Sequence, residues 1–368
     1  MNIAIVGSGV IGLSVACRLS QAGHNLTIIS GQPSEETTSA VAAAYWGPYF
    51  VGDYDRSWAI ETWHELYKIA LDPKLSKESG TSIIEFREWL GEEDRIKFQE
   101  HLDGPVKHVN DPDEISLKEA EPYWWRTLPG IDFQISMLHP ARKISFPDVG
   151  EREFTAQLQF QSVVARMPDY LRFLQTKAES FGPIVFVNKW IDGFADLLQQ
   201  FDLVINCTGW GAKRLVNEDP STAKMRLLAG LVVRVEAPDQ AFAFSLGHGA
   251  FAKEPLYIVP RKGSRIDSIC GGTAIEIDGD VDPRNPFPLD IEDRCEKIYR
   301  RCSAASDSIR SGIRCENLAG LRPMRDSVRI DRDPKCKRLI HCYGHGGSGL
   351  TLSWGSASRV AQLVDQQI

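Results

Sequence analysis

Two glycine-rich runs carry the residue types and spacings best suited to chemistry in this chain. The first is Gly7-Ser8-Gly9-Val10-Ile11-Gly12, directly after the apolar, strand-length stretch Asn2–Val6. The spacing is G-x-G-x-x-G, and each glycine has a separate task. Gly7 permits a tight turn. Gly9, without a Cβ, lets a pyrophosphate approach the backbone. Gly12 lets the following helix pack close on the strand. Free N–H groups and the helix dipole then favour an anion. The second run is Gly344-His345-Gly346-Gly347-Ser348-Gly349, again between an apolar strand (338–343) and a helix (351–366). His345 has the chemistry of a general base. A guanidinium such as that of Arg322, in Leu321-Arg322-Pro323-Met324-Arg325, suits bidentate carboxylate binding or a surface salt bridge. No pair of catalytic carboxylates stands out.

The elements that must position these residues follow from periodicity. Leu13, Ala16, Cys17 and Leu19 mark a helix over 13–21, Gly23 sits where it ends, and 26–29 is a second strand. This βαβ unit is the context that makes the fingerprint specific for a dinucleotide. An acid at the end of the second strand would hold a nicotinamide dinucleotide's ribose. The chain has Ser30, Gly31 and Gln32 instead, which weakens NAD, leaves FAD open and offers Ser30 or Gln32 as ribose partners. Small residues then dominate 36–49, suited to a planar ligand lying on the backbone or to a tight helix contact. The pattern predicts helices over 56–71, 163–179 and 291–302, mixed strand and charged helix over 80–104, and a helix end with aromatic packing over 119–125. It predicts strands over 154–160, 183–188, 202–209, 227–235, 256–260 and 268–273. The strand 202–209 ends at Thr208-Gly209, where a dinucleotide-binding sheet faces its ligand.

A chain of 368 residues is long enough for two domains. Its 43% hydrophobic and 25% charged residues are those of a soluble globular protein. The net charge of −7 excludes nucleic acid as the expected partner. No apolar run reaches membrane-spanning length. The N-terminus lacks a basic leader and is already a nucleotide-binding strand. The end Asp365-Gln366-Gln367-Ile368 is no peroxisomal tripeptide. Eight cysteines without a C-x-x-C pair argue against a metal site or disulfide framework. A reducing, cytoplasmic location is the expectation.

Together these pieces resemble the D-amino acid oxidase family of FAD enzymes. The matching stretches are GSGVIGLS (7–14), VAAAYWGPY (41–49), INCTGWGAK (205–213), LYIVPR (256–261), GLRPMRDSVRI (320–330) and YGHGGSGLTLSWG (343–355). They lie in family order across nearly the whole chain, and the last two are the most specific. The resemblance implies an α/β fold: a Rossmann-like FAD domain from residues 1–55, 150–225 and 315–368. A mixed or antiparallel substrate domain, 56–149 and 226–314, is interleaved with it. It implies FAD as cofactor, a small amino acid substrate, molecular oxygen as second substrate, and a monomer or homodimer. Hydride passes from the substrate α-carbon to flavin N5. The products are hydrogen peroxide and an imino acid that hydrolyses to keto acid and ammonia.

The resemblance also implies roles. Arg322 clamps the substrate carboxylate, Tyr257 touches it with its hydroxyl, and the Gly347 carbonyl accepts from the substrate amine. FAD contacts fall on Gly7, Gly9, Val10, Ile11, Gly12, Ser30, Thr37, Thr38, Val41, Ala42, Ala43, Ala44, Trp190, Thr208 and Gly209. They continue through Gly344, His345, Gly346, Gly347, Gly349, Leu350 and Thr351, so His345 is a flavin-loop residue rather than a base. Two departures bear on the side-chain pocket. Ser348 stands where vertebrate members have a tyrosine, and the lid tyrosine is replaced by Phe251 or Lys253. These predict a roomier, mainly apolar pocket rather than an acidic-specific one drawing on Lys253 or His248. Rival readings are an oxidase of glycine, sarcosine or another secondary amine, a biosynthetic dehydrogenase of a special amino acid, and a non-catalytic flavoprotein.

Overall fold

The computed structural model describes residues 1–49, 51–103, 124–216, 225–246, 254–277, 281 and 290–366. The chain begins with β1 (Asn2–Val6), α1 (Val10–Gln21), β2 (Asn25–Ser30), α2 (Thr38–Val41), α3 (Arg56–Leu71), α4 (Pro73–Ser79), β3 (Thr81–Leu90) and α5 (Glu92–Asp103). It continues through β4 (Gln134–Phe146), β5 (Gly150–Ala165), α6 (Met167–Glu179), β6 (Ile184–Asn188), α7 (Ala195–Gln200), β7 (Leu203–Asn206) and α8 (Ala212–Leu215). Next are β8 (Arg226–Glu236), β9 (Ala243–Leu246), β10 (Leu256–Arg261), β11 (Asp267–Gly271), β12 (Ile275–Ile277), α9 (Ile291–Ala305) and α10 (Asp307–Ser311). The last elements are β13 (Ile313–Arg332), β14 (Leu339–His345) and α11 (Gly349–Asp365).

One mixed sheet runs β4-β5-β3-β9-β10-β11-β8-β13-β14-β7-β1-β2-β6, with β12 paired to β8. Strands β14, β7, β1, β2 and β6 are mutually parallel. Their central members β7 and β14 are buried at every position because both faces are covered, as parallel strands require. The remaining ladders are antiparallel, except that β3 and β9 run parallel. Helices α1, α3, α6 and α11 form one layer, where Trp46, Trp63 and Trp354 are fully buried.

One expectation needs correction. The helix predicted over 163–179 starts only at Met167. Val163, Val164 and Ala165 instead finish β5, paired with Ile83, Ser82 and Thr81. β-Branched residues favour the sheet, and Pro168 in the first helical turn sets the boundary. Elements from the two sides of the expected domain division touch. β5, expected in the cofactor part, pairs with β3 and β4. α3, expected in the substrate part, packs on α11, and its Glu61 and Glu65 pair with Arg18 of α1. Five of the seven residues of the predicted 119–125 segment, 119–123, lie outside the described residues; Trp124–Thr127 is a 3-10 turn. The long β4 and β13 carried no strand prediction.

Candidate active site

The fingerprint builds the floor of the site. Gly7 has φ +114°, and a Cβ there would lie 2.3 Å from the Cys207 carbonyl oxygen. A Cβ on Gly12 would lie 2.0 Å from the Gly7 carbonyl oxygen. The turn therefore closes only with glycine at both positions. Helix α1 has Gly9 at its N-cap and no acid in its first turn; Ser39 Oγ accepts from the Val10 N–H (3.0 Å), and the positive helix end favours an anion. At the end of β2, Ser30 donates from Oγ to the Gln32 carbonyl (2.8 Å) and accepts from Ser8 Oγ (2.9 Å). Among the described residues no carboxylate lines the cavity at that corner. The Trp190 ring lies flat against Gly31 and remains 41% exposed.

A single cavity extends from this floor to the antiparallel part of the sheet. Gly7, Gly9, Val10, Ile11, Ser30, Thr37, Thr38, Val41, Ala42, Ala43, Ala44, Trp190, Thr208 and Gly209 line it. His345, Gly346, Gly347, Gly349 and Leu350 form another wall, with Tyr257 and Arg322 at the far end. Gly12, Gly344, Ser348 and Thr351 stand behind the wall, while Phe251, Lys253 and His248 lie outside the described residues.

At the far end, Arg322 Nη1 donates to the Thr273 carbonyl (2.7 Å). Burial raises the Tyr257 phenol above its usual range, against the opposing pull of the Arg322 guanidinium. Tyr257 therefore stays protonated and remains a hydrogen-bond donor. His345 is buried, and its Nε2 pairs with Ser356 Oγ (3.0 Å). Burial pushes its imidazole down to about 3, so it is neutral at physiological pH and carries no charge into the loop. Helix α11 starts at Gly349 without a side-chain cap or an acid in its first turn, which presents a second positive helix end.

The structure does not bring Ser348 to the cavity. Its Oγ accepts from the Tyr49 N–H (2.7 Å) and donates to the Tyr49 carbonyl (2.9 Å). One helical turn on, Thr351 Oγ1 does the same with Gly47, at 3.2 and 2.9 Å. These two hydroxyls act as a strand edge for 47–49. They bring Tyr49 into the cavity wall, edge-on to Tyr257 with ring centroids 6.3 Å apart. The missing tyrosine side chain at 348 is thus no simple gain of room, because an aromatic ring from 49 stands in the wall. Ser348→Ala should cost about 2–3 kcal/mol, since it leaves a buried backbone donor and acceptor unmet. Denaturant unfolding of the holoenzyme checks this; an unchanged midpoint refutes the anchoring role.

Sequence reasoning also missed a relay under Thr208. Asn206 Oδ1 accepts from the Thr208 N–H (3.2 Å) and hydroxyl (2.7 Å). Its amide nitrogen then donates to His341 Nδ1 (3.1 Å), and His341 Nε2–H donates to Asp333 (3.1 Å). Burial lowers the His341 pKa, which keeps the neutral tautomer this chain requires. The residues are adjacent only across β7 and β14, so no sequence spacing announces them.

The glycine turn, the second glycine loop and the Arg322–Tyr257 pair thus line one cavity. The family model "FAD dependent oxidoreductase" matches residues 2–363, and the chain belongs to that family. It is 32% identical to the D-amino-acid oxidase of Rubrobacter xylanophilus, covering 98% of this chain and 94% of the relative. It is 29% identical to that of Streptomyces coelicolor, covering 99% and 96%. It is 27% identical to the D-aspartate oxidase of Homo sapiens, covering 99% and 95%. Among solved structures, glycine oxidase from Geobacillus kaustophilus superimposes with a TM-score of 0.70 at 17% identity, covering 99% of this chain and 94% of that one. That last likeness concerns the fold. FAD is the cofactor, and the residues around the cavity fit it. When bound, it supplies a two-electron acceptor for the substrate α-carbon.

Proposed function

We propose that the chain oxidises D-amino acids to imino acids, with oxygen as final acceptor and hydrogen peroxide as product. The observation that carries this reading is the convergence of Arg322 and Tyr257 at the end of the cavity that starts in the Gly7 turn. The guanidinium fork and the protonated phenol grip the substrate carboxylate, and the Gly347 carbonyl receives the amine. With three points held, the α-hydrogen is aimed at the cofactor. No described basic side chain of the wall is asked to take a proton from the α-carbon; His345 is neutral and already bonded to Ser356. Proximity and orientation are the protein's main contributions.

The aromatic wall of Tyr45, Tyr49 and Tyr257 favours apolar side chains on the substrate. Among the described residues no helix is long and apolar enough to cross a membrane. The eight free thiols support a reducing, cytoplasmic location. A peroxide assay over D- and L-amino acids tests the function. The expected result is turnover of D-alanine and D-phenylalanine with L-enantiomers inert. Preference for L-substrates, or for glycine and sarcosine, overturns it. Preference for D-aspartate would instead reject the apolar pocket alone.

A further inference from the structure

We propose that Thr273 is a positioning residue for Arg322, and that Gly230 supplies the space in which the guanidinium is held. This rests on the reading of Arg322 as the carboxylate clamp.

The argument begins with an interrupted ladder. β11 pairs with Val232–Val235 of β8, and β12 pairs with Leu227–Ala229. Between them the chain at Gly272, Thr273 and Ala274 leaves the sheet, opposite Gly230 and Leu231. Such a gap would strand backbone groups inside the protein. The Thr273 side chain closes it. Its hydroxyl accepts from the Leu231 N–H (2.9 Å) and donates to the Ala229 carbonyl (3.2 Å). The side chain thus makes the ladder bonds, which leaves the Thr273 carbonyl to accept from Arg322 Nη1 (2.7 Å). Thr273 is 5% exposed, so this carbonyl has little access to water as a competing partner.

Arg322 sits opposite Leu228 in the β8–β13 ladder, and Gly320 sits opposite Gly230. Its side chain therefore runs diagonally over Gly230. A Cβ on Gly230 would lie 2.5 Å from Arg322 Cζ and Nη2 and 2.7 Å from Nη1. The guanidinium rests on bare backbone at one side and is hooked by a carbonyl at the other. Nη1 is taken by the Thr273 carbonyl, and the guanidinium also hydrogen-bonds the Tyr257 side chain. Valine at 273 preserves shape but loses both hydroxyl bonds, so the segment relaxes and the carbonyl shifts. Serine keeps the hydroxyl.

The test uses holoenzyme and two readouts: KM and kcat with D-alanine, and benzoate affinity by calorimetry, benzamide being the uncharged control. Thr273→Val is expected to raise both KM and benzoate Kd about tenfold with kcat nearly unchanged, as for one lost hydrogen bond. Thr273→Ser should restore most of that loss. Gly230→Ala, which pushes only the mobile end of Arg322, is expected to lower kcat/KM about a hundredfold. Benzamide binding should stay constant throughout. Thr273→Val with wild-type KM and benzoate affinity, while Arg322→Ala has lost benzoate, overturns the positioning role alone. Should Thr273→Val not fold, wild-type benzoate affinity in Gly230→Ala overturns it. Benzoate binding that survives Arg322→Ala removes the clamp reading itself.

Discussion

Arg322→Ala should lower kcat/KM for D-amino acids by about 10²–10³-fold, the range for truncating one partner of a desolvated charge pair. The substrate carboxylate would lose both its countercharge and the fork that sets its orientation. The loss should appear in kcat as well as KM, because a mis-aimed α-carbon reacts poorly even when bound. Arg322→Lys should recover little, since an ammonium is a point charge without the planar fork. The flavin content should stay at the wild-type level, because Arg322 lies at the cavity end remote from the Gly7 turn. Steady-state kinetics together with the visible flavin spectrum decide the matter. Near-wild-type efficiency in either variant removes Arg322 from the clamp role.

Gly12→Val should yield protein that cannot hold FAD and that unfolds more readily. The new side chain meets only fixed atoms: Gly7 oxygen at 2.0 Å, Gly7 carbonyl carbon at 3.0 Å and Cys207 Cβ at 3.5 Å. None can yield without moving β1 or the turn itself. Overpacking of this kind costs about 1–3 kcal/mol. The movement also displaces the N–H groups that would receive the pyrophosphate. Gly193 provides the control, since a Cβ there meets nothing within 4 Å. Gly193→Ala should bind FAD normally. A yellow, fully loaded Gly12→Val protein would refute the account of this turn.

The parts legible in the sequence were those whose cause is local. The βαβ start, the glycine fingerprint, α3 over Arg56–Leu71 and the strand leading into the second glycine loop all follow from periodicity and from positions that only glycine can occupy. The start of the helix predicted over 163–179 was misplaced because residues 163–165 fit either a helix face or a strand, and antiparallel pairing with residues 81–83 decided between them. Ser348 was read as an absent aromatic ring. Its neighbour in space, Tyr49, lies 299 positions away in sequence, and its hydroxyl is spent on that backbone.

The sequence by itself determined that a dinucleotide is bound at the N-terminal turn, whereas Arg322 and Tyr257 were singled out by the family resemblance and their grip on a small acid is a proposal. The turn is legible because sterics at glycine belong to single residues and short spacings. Only the tertiary structure decided how those groups are aimed. Gly230 lies under Arg322, Thr273 closes the gap between β11 and β12 beside β8, and His341 sets the Asn206 amide that bonds Thr208. Each of these contacts joins strands distant in the chain. Their strength depends on burial and register, which come into being only when the sheet assembles.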